Sequence, residues 1–96
     1  MRRRTATIPC RVFPGAFSHE YEVQVDPPDS VQPVFAFAPV TATRVSATVD
    51  IAGVLARLVV VLVDESAEHY IIDLPGETHP IGPRLRVPKH FVTVDR

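Results

Sequence analysis

Four histidines (His19, His69, His79, His90), a single cysteine (Cys10) and eleven acidic residues are the side chains from which a metal centre or a general acid–base pair would have to be built. A structural zinc site is read from closely spaced ligand pairs such as Cys-x-x-Cys or His-x-x-x-His, because short spacings let one local turn supply two ligands to a tetrahedral ion. None of the five residues falls at such a spacing. Cys10 also lies on the apolar side of an alternating segment, where a thiol packs as a small hydrophobe. Nucleophilic catalysis needs a serine or cysteine beside a base that a third group holds in place. Ser18-His19 and the pair Ser66 and His69 are neighbours in sequence only, with no strained strand-to-helix turn around them. Asp64, Glu65, Glu68 and Asp73 read as a solvated acidic turn. With four glycines in the chain, no loop has the composition that cradles phosphate. No catalytic residue, metal ligand or cofactor is expected, and a metal-dependent or hydrolytic enzyme is the least favoured of three function classes.

The elements that would position any site are short and rigidly joined. Ten prolines against four glycines oppose helix interiors and central strands, and period-two alternation dominates the chain. Ala6, Ile8, Cys10 and Val12 alternate with Thr7, Pro9 and Arg11, which predicts a strand with one buried face and, from Pro9, an edge position. Pro14-Gly15 predicts a tight turn into a second strand with Tyr21, Val23 and Val25 inward and Glu20, Glu22 and Gln24 outward. Asp26-Pro27-Pro28-Asp29-Ser30 marks a loop, and Val34–Ala38 follows with Phe35 and Phe37 on one face and alanines on the other. A further strand is predicted over 45–51, turning at Ala52-Gly53, although the spacing of Ile51, Leu55 and Leu58 also fits a short helix over 52–58. A chain of 96 residues allows one domain, 1–96, with 1–4 as a flexible basic tail. One cysteine excludes an internal disulfide, and no apolar run reaches the ~18–20 residues needed to span a bilayer. A cytoplasmic protein without membrane association is the expectation.

Residues 84–94 carry the clearest architectural signal. Arg84-Leu85-Arg86-Val87 alternates, Pro88 forces a corner, and Phe91-Val92-Thr93-Val94 resumes an extended pattern. Val87-Pro88-Lys89-His90-Phe91-Val92 resembles the end of SH3-type domains: last core strand, single 3₁₀ turn, closing strand. The upstream order is similar too, with a strand ending at Val63-Asp64, an acidic turn, and a strand beginning at His69-Tyr70. The resemblance covers about residues 57–94 and implies an all-β, small SH3-like barrel, here elaborated by an N-terminal hairpin. Only Pro88 and Phe91 carry over by position. His69 stands where the ligand-binding tryptophan of that family is found and Leu85 where a glycine is expected, so polyproline recognition does not follow from the resemblance.

Two features point to surfaces. Leu58-Val59-Val60-Val61-Leu62-Val63 is aliphatic on both faces, whereas a strand of a small barrel needs only one apolar face. Its outer face must be covered by the N-terminal half, including the Phe35–Phe37 strand, or by a second molecule. Val59, Val61, Val63, His69 and Phe91 are therefore the candidate protein-interaction residues, with a protein partner or a second copy as occupant. The second feature is charge. Residues 1–11 carry +4 and 84–96 carry +3, against −8 in 12–83, which sums to the net −1. Arg2, Arg3, Arg4, Arg84, Arg86 and Lys89 are the candidate anion or nucleic-acid contacts, provided the two ends meet in space. A sequence pI near 6.4 places nucleic acid second to protein as partner. The favoured function is a non-enzymatic interaction or scaffold module, with self-association as one route.

Overall fold

The computed structural model describes residues 4–79 and 83–95, the side chains of residues 77–79 excepted. It is all-β, a single curled antiparallel sheet forming a half-barrel, with no α-helix among the described residues. The strands are β1 (Arg4–Pro14), β2 (Glu20–Val25), β3 (Val34–Pro39), β4 (Thr43–Arg44), β5 (Val54–Glu65), β6 (His69–Asp73), β7 (Glu77–His79), β8 (Arg84–Pro88) and β9 (Thr93–Val94). Single 3₁₀ turns at Val40–Ala42 and Lys89–Phe91 precede β4 and β9, each following a proline that cannot donate to a ladder. The order across the sheet is β7-β3-β2-β1-β5-β6-β8, with β4 added to β5 and β9 to β1.

The alternation in the sequence is what the sheet buries. Ala6, Ile8, Cys10 and Val12 of β1, Val23 and Val25 of β2, Val34, Ala36 and Ala38 of β3, Leu58 and Val60 of β5, Tyr70 and Ile72 of β6, and Leu85 and Val87 of β8 line the concave side as one core. Burying a valine, leucine or isoleucine contributes about 1.5–3 kcal/mol each. The curl, which brings the two wings of the sheet toward each other, is therefore driven by these same alternate positions. Leu62, Phe91 and Val94 are half-buried and pack against this core.

Several local expectations are corrected. Pro9 does not mark an edge strand. β1 runs beside β5 from Arg4 to Val12, and on its other side it pairs with β9 at Ala6 and Thr7 and with β2 from Arg11 onward. Pro9 falls in the gap between those two partners. The carbonyl of Thr5 accepts from Asp95 N–H on the β9 side, so by period two the backbone of Pro9 faces that side as well, where no ladder bond is lost. β1 is thus an interior strand of the sheet, with β2, β3 and β7 extending beyond it on one side and β5, β6 and β8 on the other. Arg4, counted with the basic tail, opens β1 opposite Leu62. The strand expected over 45–51 is irregular, and only Thr43 and Arg44 pair with β5. The turn expected at Ala52-Gly53 does form: Asp50 Oδ1 accepts Ala52 N–H at 3.0 Å and the Asp50 carbonyl accepts Gly53 N–H at 3.0 Å. The chain then enters β5 directly at Val54, without a helix over 52–58.

Candidate interaction surface

β5 is twelve residues long and is shared between two partners on one side, β4 at Leu58 and β6 from Val61. Between them lies a split in the sheet, and over it a groove of about 640 Å³ whose lining includes Val59, Val61, Val63, Ala42, Leu74 and Pro75. Leu58 and Val60 face the core, so Val59, Val61 and Val63 present the opposite, outer face. Val59 and Val61 are half-buried between the first 3₁₀ turn and the Leu74-Pro75 corner. Val63 is 41% exposed and sits where the β5–β6 register shifts between Leu62 and Asp64, a bulge that re-aims its side chain. The Phe35–Phe37 strand does not lie over this face. β1 and β2 stand between β3 and β5, and β3 instead sends its alanines into the core.

The aliphatic stripe is closed at both ends by polar groups. At one end Arg57 reaches across β1 and donates to Thr7 Oγ1 at 3.1 Å, to the Thr7 carbonyl at 3.0 Å and to Thr93 Oγ1 at 2.9 Å, tying β5, β1 and β9 together on the outer face. At the other end the Asp64 carboxylate accepts the Glu65 backbone N–H at 2.7 Å. Ala42, Leu74 and Pro75 had no signal in the sequence, because what gives them a role is the split between β4 and β6, and Arg57 had none because its partners Thr7 and Thr93 come beside it only through the pairing of β1 with β5 and β9.

The candidate cations are placed in three groups. Arg84 and Arg86 stand side by side on the outer face of β8 with Leu85 and Val87 inward, as the alternation predicts. Arg84 is held by a fork to Asp73, Nε to Oδ1 at 2.9 Å and Nη2 to Oδ2 at 3.1 Å, and this hydrogen-bonded charge raises its affinity for the proton further. Arg86 Nη2 donates to His69 Nδ1 at 3.2 Å, which leaves the imidazole proton on Nε2, 3.6 Å from Asp29 Oδ2. Lys89 and Arg4 both contact the Glu65 carboxylate, and Lys89 also lies 5.1 Å over the Tyr70 ring. The hydrogen bond and charge of Lys89, and to a lesser extent those of Arg4, hold the Glu65 carboxyl below the usual glutamate range. Arg4 and Lys89, from the two ends of the chain, therefore do meet. Arg2 and Arg3 lie outside the described residues.

His69 and Phe91 are not gathered with the valines into one patch. His69 shares the outer face of β6 with Ile71 and Asp73 and is engaged by Arg86. Phe91 lines a separate hollow of about 170 Å³ with Pro9, Arg11 and Leu55, beside the gap that Pro9 leaves in β1. Burial pushes the Cys10 thiol up to about 11, with Arg57 pulling weakly the other way, so it is protonated and unreactive at neutral pH. Comparison with family models, with curated proteins and with solved structures finds no match for this chain.

Proposed function

We propose that this protein is a non-enzymatic interaction module of the SH3-like barrel kind that associates with a second copy of itself through the outer face of β5. The SH3-like assignment is supported by a long β5, a short acidic turn to β6, β8 paired beside β6 after the short excursion through β7, one 3₁₀ turn after Pro88, and a closing strand β9 that returns to β1. The single observation that carries the function is the open groove over Val59, Val61 and Val63, which the chain walls on two sides and leaves uncovered above. A charge-free aliphatic stripe on an extended strand is an association hazard unless matched, and a two-fold axis matches it with itself. Anion binding ranks second, because Asp73 neutralises Arg84 and the single Glu65 carboxylate is shared by Arg4 and Lys89, which leaves only part of the positive charge uncompensated.

Sedimentation over a wide concentration range tests the proposal. Wild type is expected to form dimers, and Val61→Lys or Val63→Lys to give folded monomers. A wild type that stays monomeric at every concentration rules self-association out. If, instead, double-stranded DNA binds at low salt and Arg84→Ser/Arg86→Ser abolishes it, the nucleic-acid role replaces this one.

A further inference from the structure

A second open hollow, about 500 Å³, lies where the β1–β2 turn meets β3, and it differs in chemistry from the β5 groove. Its walls are Ala16, Phe17, His19, Glu20, Phe37 and Pro39. Phe17 is 63% exposed and stacks on His19, ring centroids 5.8 Å apart and planes 16° from parallel, so one ring backs the other and the far face of Phe17 is bare. Phe37 is directed outward because Ala36 and Ala38 face the core. The register places Pro39 opposite Glu20 and Phe37 opposite Glu22, and Glu22 is in turn opposite Phe13 of β1. Carboxylates thus alternate with rings across this face. No lysine or arginine lines the hollow, and neither Glu20 nor Glu22 has a cationic partner among the described residues. Asp26, Asp50, Asp64 and Glu68 also lack a cationic partner among the described residues, so what distinguishes Glu20 is the exposed ring beside it.

From this arrangement we infer that the hollow receives an arginine side chain of a basic segment on a partner protein. A flat exposed ring attracts a cation over its face, and a guanidinium does so best because it is itself planar and weakly hydrated. The same group then presents a fork of N–H donors to the edge, which suits the Glu20 carboxylate alongside the rings. An aliphatic or aromatic ligand would use the rings and leave the Glu20 carboxylate unused. An anion would be repelled by it and by the neighbouring Glu22. The site is independent of the β5 groove, so it stands whether or not the protein associates with itself.

The test is a titration of the whole ¹⁵N-labelled protein with an acetylated, amidated tri-arginine peptide, followed by amide shifts. Shifts are expected to concentrate in residues 16–20 and 37–39. Phe17→Ala is expected to weaken binding about tenfold, equivalent to roughly 1.4 kcal/mol and the size of one partly desolvated cation–π contact. Glu20→Gln should weaken it further, tri-lysine should bind several-fold less tightly, and Val61→Lys should bind as wild type does. Phe17 is a largely exposed side chain, so its loss leaves the fold intact, and circular dichroism of each variant checks this. The inference is overturned if no shift occurs at low salt, if shifts spread over the acidic surface and ignore Phe17→Ala, or if tri-lysine binds as well as tri-arginine.

Discussion

Two glycines with nearly the same backbone conformation should respond very differently to the same substitution. Gly53 has φ of 84° and Gly76 has φ of 77°, so an alanine at either costs about 1–2 kcal/mol for entering the left-handed region. What the new methyl meets is not the same. At Gly53 its nearest neighbours are Phe13 Cε1 at 2.6 Å and Arg11 Cδ and Cγ at 2.9 Å, all side-chain atoms on the outer face that can turn away. At Gly76 it meets the Phe37 carbonyl oxygen at 1.9 Å and the carbonyl carbon at 2.9 Å, both backbone atoms of β3. A carbon–oxygen contact settles near 3.3 Å, so that carbonyl must retreat by about 1.4 Å, more than the β3–β7 hydrogen bonds survive. Losing the pairing of Phe35 to Phe37 with β7 forfeits on the order of 2 kcal/mol beyond the φ cost. Gly53→Ala should therefore cost about 1–2 kcal/mol and Gly76→Ala about 3–4 kcal/mol. Against the 5–14 kcal/mol typical of a domain this long, that separates the two melting temperatures by roughly 10 °C or more. Thermal unfolding by circular dichroism gives the difference, and amide exchange at Phe35 and Phe37, whose backbone groups face β7, locates it. Equal melting temperatures for the two variants would refute the backbone contact as the cause.

Two further outcomes are expected. Val87 is fully buried on β8, so Val87→Asp should place an unpartnered carboxylate in the core and cost several kcal/mol; an unchanged melting temperature would show the inward face of β8 to be misassigned. Cys10 binds its proton more tightly when folded, about 11 against 9.0, so its contribution is fully present below pH 9 and is lost as pH rises toward 11; the urea midpoint should fall over that interval in wild type and fall less in Cys10→Ala.

The parity of alternation is local information, and it survived into the structure. Ala6-Ile8-Cys10-Val12, Val23-Val25 and Leu85-Val87 are buried as expected because a strand offers only two faces and the apolar one must be hidden. The corner at Pro88, the 3₁₀ turn and the outward pair Arg84 and Arg86 follow from the same local chemistry. Which face of Val34–Ala38 turns inward was open in the sequence, since alanine and phenylalanine are both apolar. The concave side of the curled sheet took the small residues, and the phenylalanines were left on the outer surface, where Phe37 lines the hollow beside Phe17.

What stayed invisible in the sequence depends on which strands lie side by side. Pro9 reads as an edge residue until β9 and β2 are seen to share one side of β1 and leave a gap at that residue. The 45–51 segment alternates like a strand, yet its pairing with β5 stops at Arg44, because ladder partnership depends on where the neighbouring strand lies and not on alternation. The basic ends read as a free cationic patch, but Glu65 and Asp73 lie across from Lys89, Arg4 and Arg84 only once β5, β6 and β8 are aligned. Composition and alternation determined that this protein is an all-β sheet and which residues its strands hide. Ladder partnership, set by cooperative packing of positions far apart in the chain, decided where that sheet splits, which charges are paired and where the surface is left open.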